Sequence, residues 1–389
     1  MTHRLAAIAI VLTVGTSGSA QAPVTPGGHE TLVVHEWGTF TSVAGPDGEA
    51  VEWLPLAGPP DLPCFVEHVD FNVKFSLPGK IRMETPVLYF YSPTETTVNV
   101  TARFRQGVVT EWYPHASVTP ATVEGSTLKR ADAEGRITWT GIKVSPGVDA
   151  ALPNDATRSH YYAARQTDAL QLQVGSAREK FLFYRGVGGF EPPVSASVAS
   201  NGRVVVRNAS GGAIGDVVLF ENRGGTMAYQ VRHVGGSRVE FDQPALDGES
   251  VAPLAELEQV LVGHGLYPKE AKAMIETWRD SWFEEGSRLF YIAPRGAVDG
   301  ILPLTITPQP SSVARVFVGR IELITATTER EVGHALETND RSMLARYGRF
   351  LQPIADRLVA HRPEKERTRL LSSLSPLYQE LLKTPPACR

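Results

Sequence analysis

The sequence predicts a mainly β protein with a mixed α/β C-terminal region: a β-sandwich-like N-terminal domain, then helices, short strands and a helical tail. Three observations carry this. From Thr31 to about Phe241, short alternating runs are separated by turn signals such as Pro46-Asp47-Gly48, Pro78-Gly79, Asn201-Gly202 and Gly211-Gly212. Near Pro253 the apolar residues change from strand alternation to helical spacing. In the tail, Leu344, Tyr347, Leu351, Ile354 and Leu358 form one helical stripe, and Leu370, Leu374, Leu377 and Leu381 another.

In chain order, the first element is a secretory signal. His3 and Arg4 give a positive end, Leu5 to Val14 is apolar but for Thr13, and Ala20-Gln21-Ala22 is a small-x-small cleavage site. Residues 1–22 are therefore expected to be a signal peptide, with the protein secreted or periplasmic after cleavage near Ala22. The apolar run is much shorter than the ~20 residues that span a bilayer, so no transmembrane anchor is expected in the mature chain. The 389 residues exceed the roughly 250–300 at which single cores stop growing. Two parts are expected, a β-rich domain over 23–250 and an α/β region over 251–389. The net charge of −4 is spread over mixed residues, which argues against a nucleic-acid partner held through phosphate. The two cysteines, Cys64 and Cys388, can form neither a CxxC pair nor a cysteine-rich zinc site. In an oxidising compartment they are expected to pair with each other.

The strand candidates are Val33–Val43, Val87–Tyr91, Val98–Phe104, Arg136–Val144, Lys180–Tyr184, Val204–Val206, Val217–Phe220 and Met227–Val234. Helical spacing follows over Leu254–Val262. A second helix starts at Pro268, a favoured first-turn residue, and runs to Glu285 with Ala271, Met274, Ile275, Trp278 and Trp282 on one face. Strands return at Leu289–Ala293 and Arg315–Thr325, with a weaker one at Ile301–Ile306.

Several signatures are missing. There is no HExxH helix, no G-x-S-x-G elbow and no P-loop. Gly186-Val187-Gly188-Gly189 is followed by Pro192-Pro193, which stops the helix a dinucleotide fingerprint requires. The informative residues are charges on apolar strand faces. In Val33–Val43, Glu36 shares a face with Leu32, Val34 and Phe40, while His35 and Trp37 point the other way. Glu84 falls in register with Leu88 and Phe90, although Pro86 weakens that register. Arg185 shares its face with Phe181 and Phe183. His115, beside Pro114, is a loop candidate for contacting a ligand.

A buried charge must be paired, protonated or bound to a ligand or metal. One reading pairs Glu36 or Glu84 with Arg185 or another arginine, as structure only. The other puts Glu36, Glu84 and Arg185 in one catalytic pocket, the carboxylates serving as general acid and base or holding a divalent cation. In that pocket His35, Trp37, His115 and Tyr184 would contact the ligand. Two functions follow: a hydrolase acting on an extracellular polymer such as a polysaccharide, or a non-catalytic secreted protein that binds a polymer or small molecule. A cleft holding both glutamates favours the first.

Overall fold

The computed structural model describes residues 31–56, 62–69, 77–130, 132–155, 158–248, 250–360 and 362–381. The expected signal peptide and Cys388, and with it the Cys64–Cys388 pairing, lie outside the described residues.

The chain is mostly β, with one large mixed sheet and C-terminal helices. The strand Val33–Val43 is central, and it is buried along its whole length. It runs antiparallel to Ile81–Tyr91 and parallel to Ser312–Leu323, pairing Val33 with Ser312 and Val43 with Glu322. Beyond Ser312–Leu323 come Gly286–Ile292, Gly215–Arg223 and the edge strand Thr226–Val234. Beyond Ile81–Tyr91 come Leu182–Gly188, Gly107–Tyr113, Glu134–Ser145, Thr96–Arg105 and Leu304–Thr307. Strands from both sides of residue 250 thus pair in one sheet. Val194–Val198, Val204–Asn208 and Arg238–Phe241 form a separate three-stranded sheet.

The two faces of the central strands bury against different partners. Val34, Phe40, Leu88 and Phe90 share a core with Val98, Val100, Ile137 and Trp139 from the outer strands and with Val194 and Val206 from the small sheet. The opposite face, with Trp37, Tyr89 and Phe183, is covered by helices Leu254–Gly263 and Pro268–Trp282 and by the turn His160–Arg165. Pro268 opens its helix as the sequence predicts, and the buried Glu270 side chain accepts the Tyr267 backbone N–H at 2.7 Å, satisfying the donor of the residue that caps the helix. The C-terminal helices close a third core with Val43, Trp53 and Ile324 at the end of the central strands. Among the described residues no helix is long and apolar enough to cross a membrane.

One irregularity crosses the middle of the sheet. The pairing of Val33–Val43 with Ile81–Tyr91 slips between Trp37 and Thr39, so that Trp37 faces Val87 but Thr39 faces Glu84. The next pair slips between Phe183 and Gly186, and the one after it between Arg185 and Gly186. The slips lie side by side. At their centre the buried Thr85 takes φ = 39°, a conformation that is costly for a β-branched residue. Close backbone approach demands glycine nearby: a Cβ on Gly186 would lie 2.3 Å from the Val108 carbonyl oxygen.

This bulge changes which way Glu84 points. Continuous alternation would put Glu84 on the face of Leu88 and Phe90. The one extra residue at Thr85-Pro86 reverses the parity, so Ile81 and Met83 join that core and Arg82 and Glu84 turn to the helix-covered side.

Candidate functional site

Glu36 lies where alternation predicts, and its surroundings are closed. It is fully buried, accepts the Tyr184 hydroxyl at 2.7 Å and is paired with the Arg315 Nε. Arg315 also donates through Nη1 to Asp299 Oδ1 and to the Leu302 carbonyl, both at 2.8 Å. Burial pushes the Arg315 pKa down, but Glu36 and then Tyr184 outweigh it, leaving the guanidinium above its ordinary value. The Tyr184 hydroxyl is raised well above its usual range, first by burial and then by Glu36. Tyr184 is therefore a clamp on Glu36.

Glu84 keeps different company on the other face. Its Oε2 accepts the Thr41 hydroxyl at 3.0 Å, its Oε1 is paired with Arg349, and Arg82 Nε lies 3.6 Å away. None of these partners touches Glu36. The shared pocket for Glu36, Glu84 and Arg185 is thus overturned: the bulge at Thr85-Pro86 sends the two carboxylates to opposite sides of the sheet.

Arg185 does belong with Glu84. Its guanidinium carbon sits 5.6 Å from the ring centres of both Phe183 and Trp278, and its charge acts on both Arg82 and Glu84. Register supplies the rest. Thr41 is flanked by Arg320 on one neighbouring strand and Arg82 on the other, while Thr39 faces Glu84 and Arg185 faces Glu111. Arg82 Nη2 lies 3.8 Å from Glu111 Oε1. From the covering helix, Ser281 Oγ accepts from Arg320 Nη1 at 2.9 Å and from Arg349 Nη2 at 2.7 Å, and Glu284 accepts from Arg320 at 2.8 Å.

The result is a buried polar centre in which Arg82, Arg185, Arg320 and Arg349 meet Glu84, Glu111 and Glu284. The adjoining Arg288 and Glu322 pair at 2.9 Å. Burial, then Arg288 and Arg349 among its neighbours, push the Arg320 pKa down to about 10 against Glu284 and Glu322. Burial raises the Glu84 carboxyl, but Arg349, Arg82, Arg320 and Arg185 more than reverse it and hold it below its ordinary value. A depressed folded-state pKa stabilises above the unfolded value, about 4.3 for Glu, and that stability is lost as pH falls through the folded value. Urea unfolding between pH 3 and 7 should therefore show a shallower acid loss for Glu84→Gln than for the wild type. Parallel acid limbs would contradict this.

The other sequence candidates lie apart. His35 Nδ1 sits 2.8 Å from the buried Glu270 Oε2, and Tyr91 donates to Glu270 Oε1 at 2.7 Å, so His35 ties the second helix to the sheet. Trp37 is fully buried in the helix-side core near Tyr89, with ring centres 6.3 Å apart. His115 is an exposed side chain 2.9 Å from Glu67, which also accepts Trp112 Nε1. The arrangement of His35, Trp37, His115 and Tyr184 around one ligand is not formed, because their partner sets are separate. Among the described residues no group of three or more His, Cys, Asp or Glu side chains could hold a metal ion.

Sequence reasoning missed Arg82, Glu111, Arg349, Thr39 and the role of Trp278. Arg82 stands two residues from Glu84 on a strand, which marks a shared face. Glu111 lies in Gly107–Tyr113, a strand not anticipated. Compared with known proteins, the chain matches no family and no curated sequence.

Proposed function

We propose that this chain is an exported protein that binds a polymer or small molecule outside the cytoplasm, at the polar centre on the helix-covered side of the sheet. The observation that carries this reading is the concentration of buried charge there. Four arginines surround one carboxylate beside aligned bulges and the strained Thr85. Such strain clusters at sites where function over-determines the backbone. Export is supported by the signal-like residues 1–22. The sandwich-like reading of the N-terminal part is supported by the core that the outer strands share with the central ones.

Binding is favoured over polymer hydrolysis because Glu36 is clamped on the far face. Paired-carboxylate hydrolysis also needs one protonated acid, and Glu84 is held ionised by its arginines. The test is affinity electrophoresis through gels containing acidic or neutral polysaccharides, with an assay for new reducing ends in the same samples. Retarded migration without chain cleavage is expected. New reducing ends that disappear in Glu84→Gln would restore the hydrolase.

A further inference from the structure

The polar centre has more donors than acceptors. Arg82 Nη1, Arg320 Nε, Thr39 Oγ1 and Trp278 Nε1 are all buried, and none has an acceptor among the described residues. Arg82 is 7% exposed and Arg320 and Thr39 are fully buried. These groups belong to one place: Thr39 is opposite Glu84, Arg320 and Arg82 flank Thr41, and Trp278 stands over Arg185. Around them, the guanidinium groups of Arg82, Arg320 and Arg349 face the carboxylates of Glu84, Glu111 and Glu284, and these pairings leave the Arg82 Nη1 and Arg320 Nε donors unmatched.

We propose that this centre binds the oxyanion group of an acidic ligand, a carboxylate, sulfate or phosphate held by Arg82, Arg320, Thr39 and Trp278. The inference rests on the ligand-binding reading above and names its ligand chemistry. A buried guanidinium N–H without an acceptor is costly in a dry interior, and the oxygens of an anion remove that cost. The planar guanidinium fork matches the oxygens of carboxylates and of tetrahedral oxyanions. A metal cation needs lone pairs, and the unmatched N–H groups of Arg82, Arg320 and Trp278 offer none. A neutral sugar hydroxyl both donates and accepts, whereas the unmatched N–H groups of Arg82, Arg320 and Trp278 only donate and the Thr39 hydroxyl can do so as well. Arg349 and Glu284 are partly open to solvent, their side chains 15% and 21% exposed, while Arg320, bonded to Glu284, is closed to it.

The experiment is calorimetric titration and thermal unfolding with sodium sulfate, phosphate and acetate, against chloride at equal ionic strength. Sulfate and phosphate stabilise proteins generally by exclusion, so the binding must saturate and must respond to substitution. At least one oxyanion should bind saturably to the wild type. Thr39→Val keeps shape and removes one donor, and it should retain the native unfolding transition in chloride while binding about tenfold or more weakly. Arg349→Gln should weaken binding similarly; if it fails to fold, Thr39→Val decides alone. If all three oxyanions behave as chloride does, the oxyanion assignment is overturned. In that case, maltohexaose binding that Thr39→Val weakens would keep the binding site while replacing its ligand. Failure of both probes would remove the site as well.

Discussion

Arg315→Met should lower the unfolding free energy by about 3–5 kcal/mol, the usual cost of leaving one member of a buried ion pair without its partner. Glu36 is fully buried and the Arg315 side chain is 1% exposed, so water cannot replace the lost guanidinium. The Tyr184 hydroxyl would remain as a donor to Glu36 and would soften the loss without removing it. The Leu302 carbonyl would lose its Arg315 donor and Asp299 would keep only Arg295, which loosens the tie between Arg295–Ile301 and the sheet. Denaturant unfolding at neutral pH measures this. A change under 1 kcal/mol would mean that Glu36 is not held by Arg315 in solution. Retained affinity for ligand in the fraction still folded is also expected, because Glu36 faces away from the polar centre.

Trp282→Ala should cost a similar amount, about 3–5 kcal/mol, for a different reason. Trp282 is fully buried at the end of Pro268–Trp282, with its ring centre 5.5 Å from that of Phe290. Its removal leaves a cavity between helix and sheet that rigid strands on one side cannot close. Trp282→Phe should recover much of the loss, because it refills most of the volume and deletes an indole N–H that has no acceptor among the described residues. Equal losses for the two substitutions would rule out the cavity explanation.

Element type was legible wherever periodicity was strong. Val33–Val43 has the predicted bounds, and the helix beginning at Pro268 buries Ala271, Met274, Ile275, Trp278 and Trp282 as its spacing requires. The opposite directions of Glu36 and Trp37 also followed from strand alternation. What alternation could not deliver was Glu84. A single bulge inverts every side chain beyond it, and the sequence marks it only by Pro86. The centre was hidden for a related reason. Its members come from Thr39, Arg82, Glu111, Arg185, Trp278, Arg320 and Arg349, which are distant in sequence and meet only through strand order. The parallel pairing of Val33–Val43 with Ser312–Leu323 brings Arg320 beside Thr41 across more than half the chain, and no local pattern encodes that neighbour.

The polar centre is either a binding site or only a costly part of the fold. Trp278→Phe separates the two, because it keeps an aromatic ring near Arg185 and deletes the unmatched N–H. Its retention in affinity electrophoresis against an acidic polysaccharide, read beside its denaturation curve, is the most direct measurement. The predicted result is weakened retention with stability within about 1 kcal/mol of wild type, as a volume-near aromatic exchange allows. Wild-type retention in a fully folded Trp278→Phe protein would contradict the account.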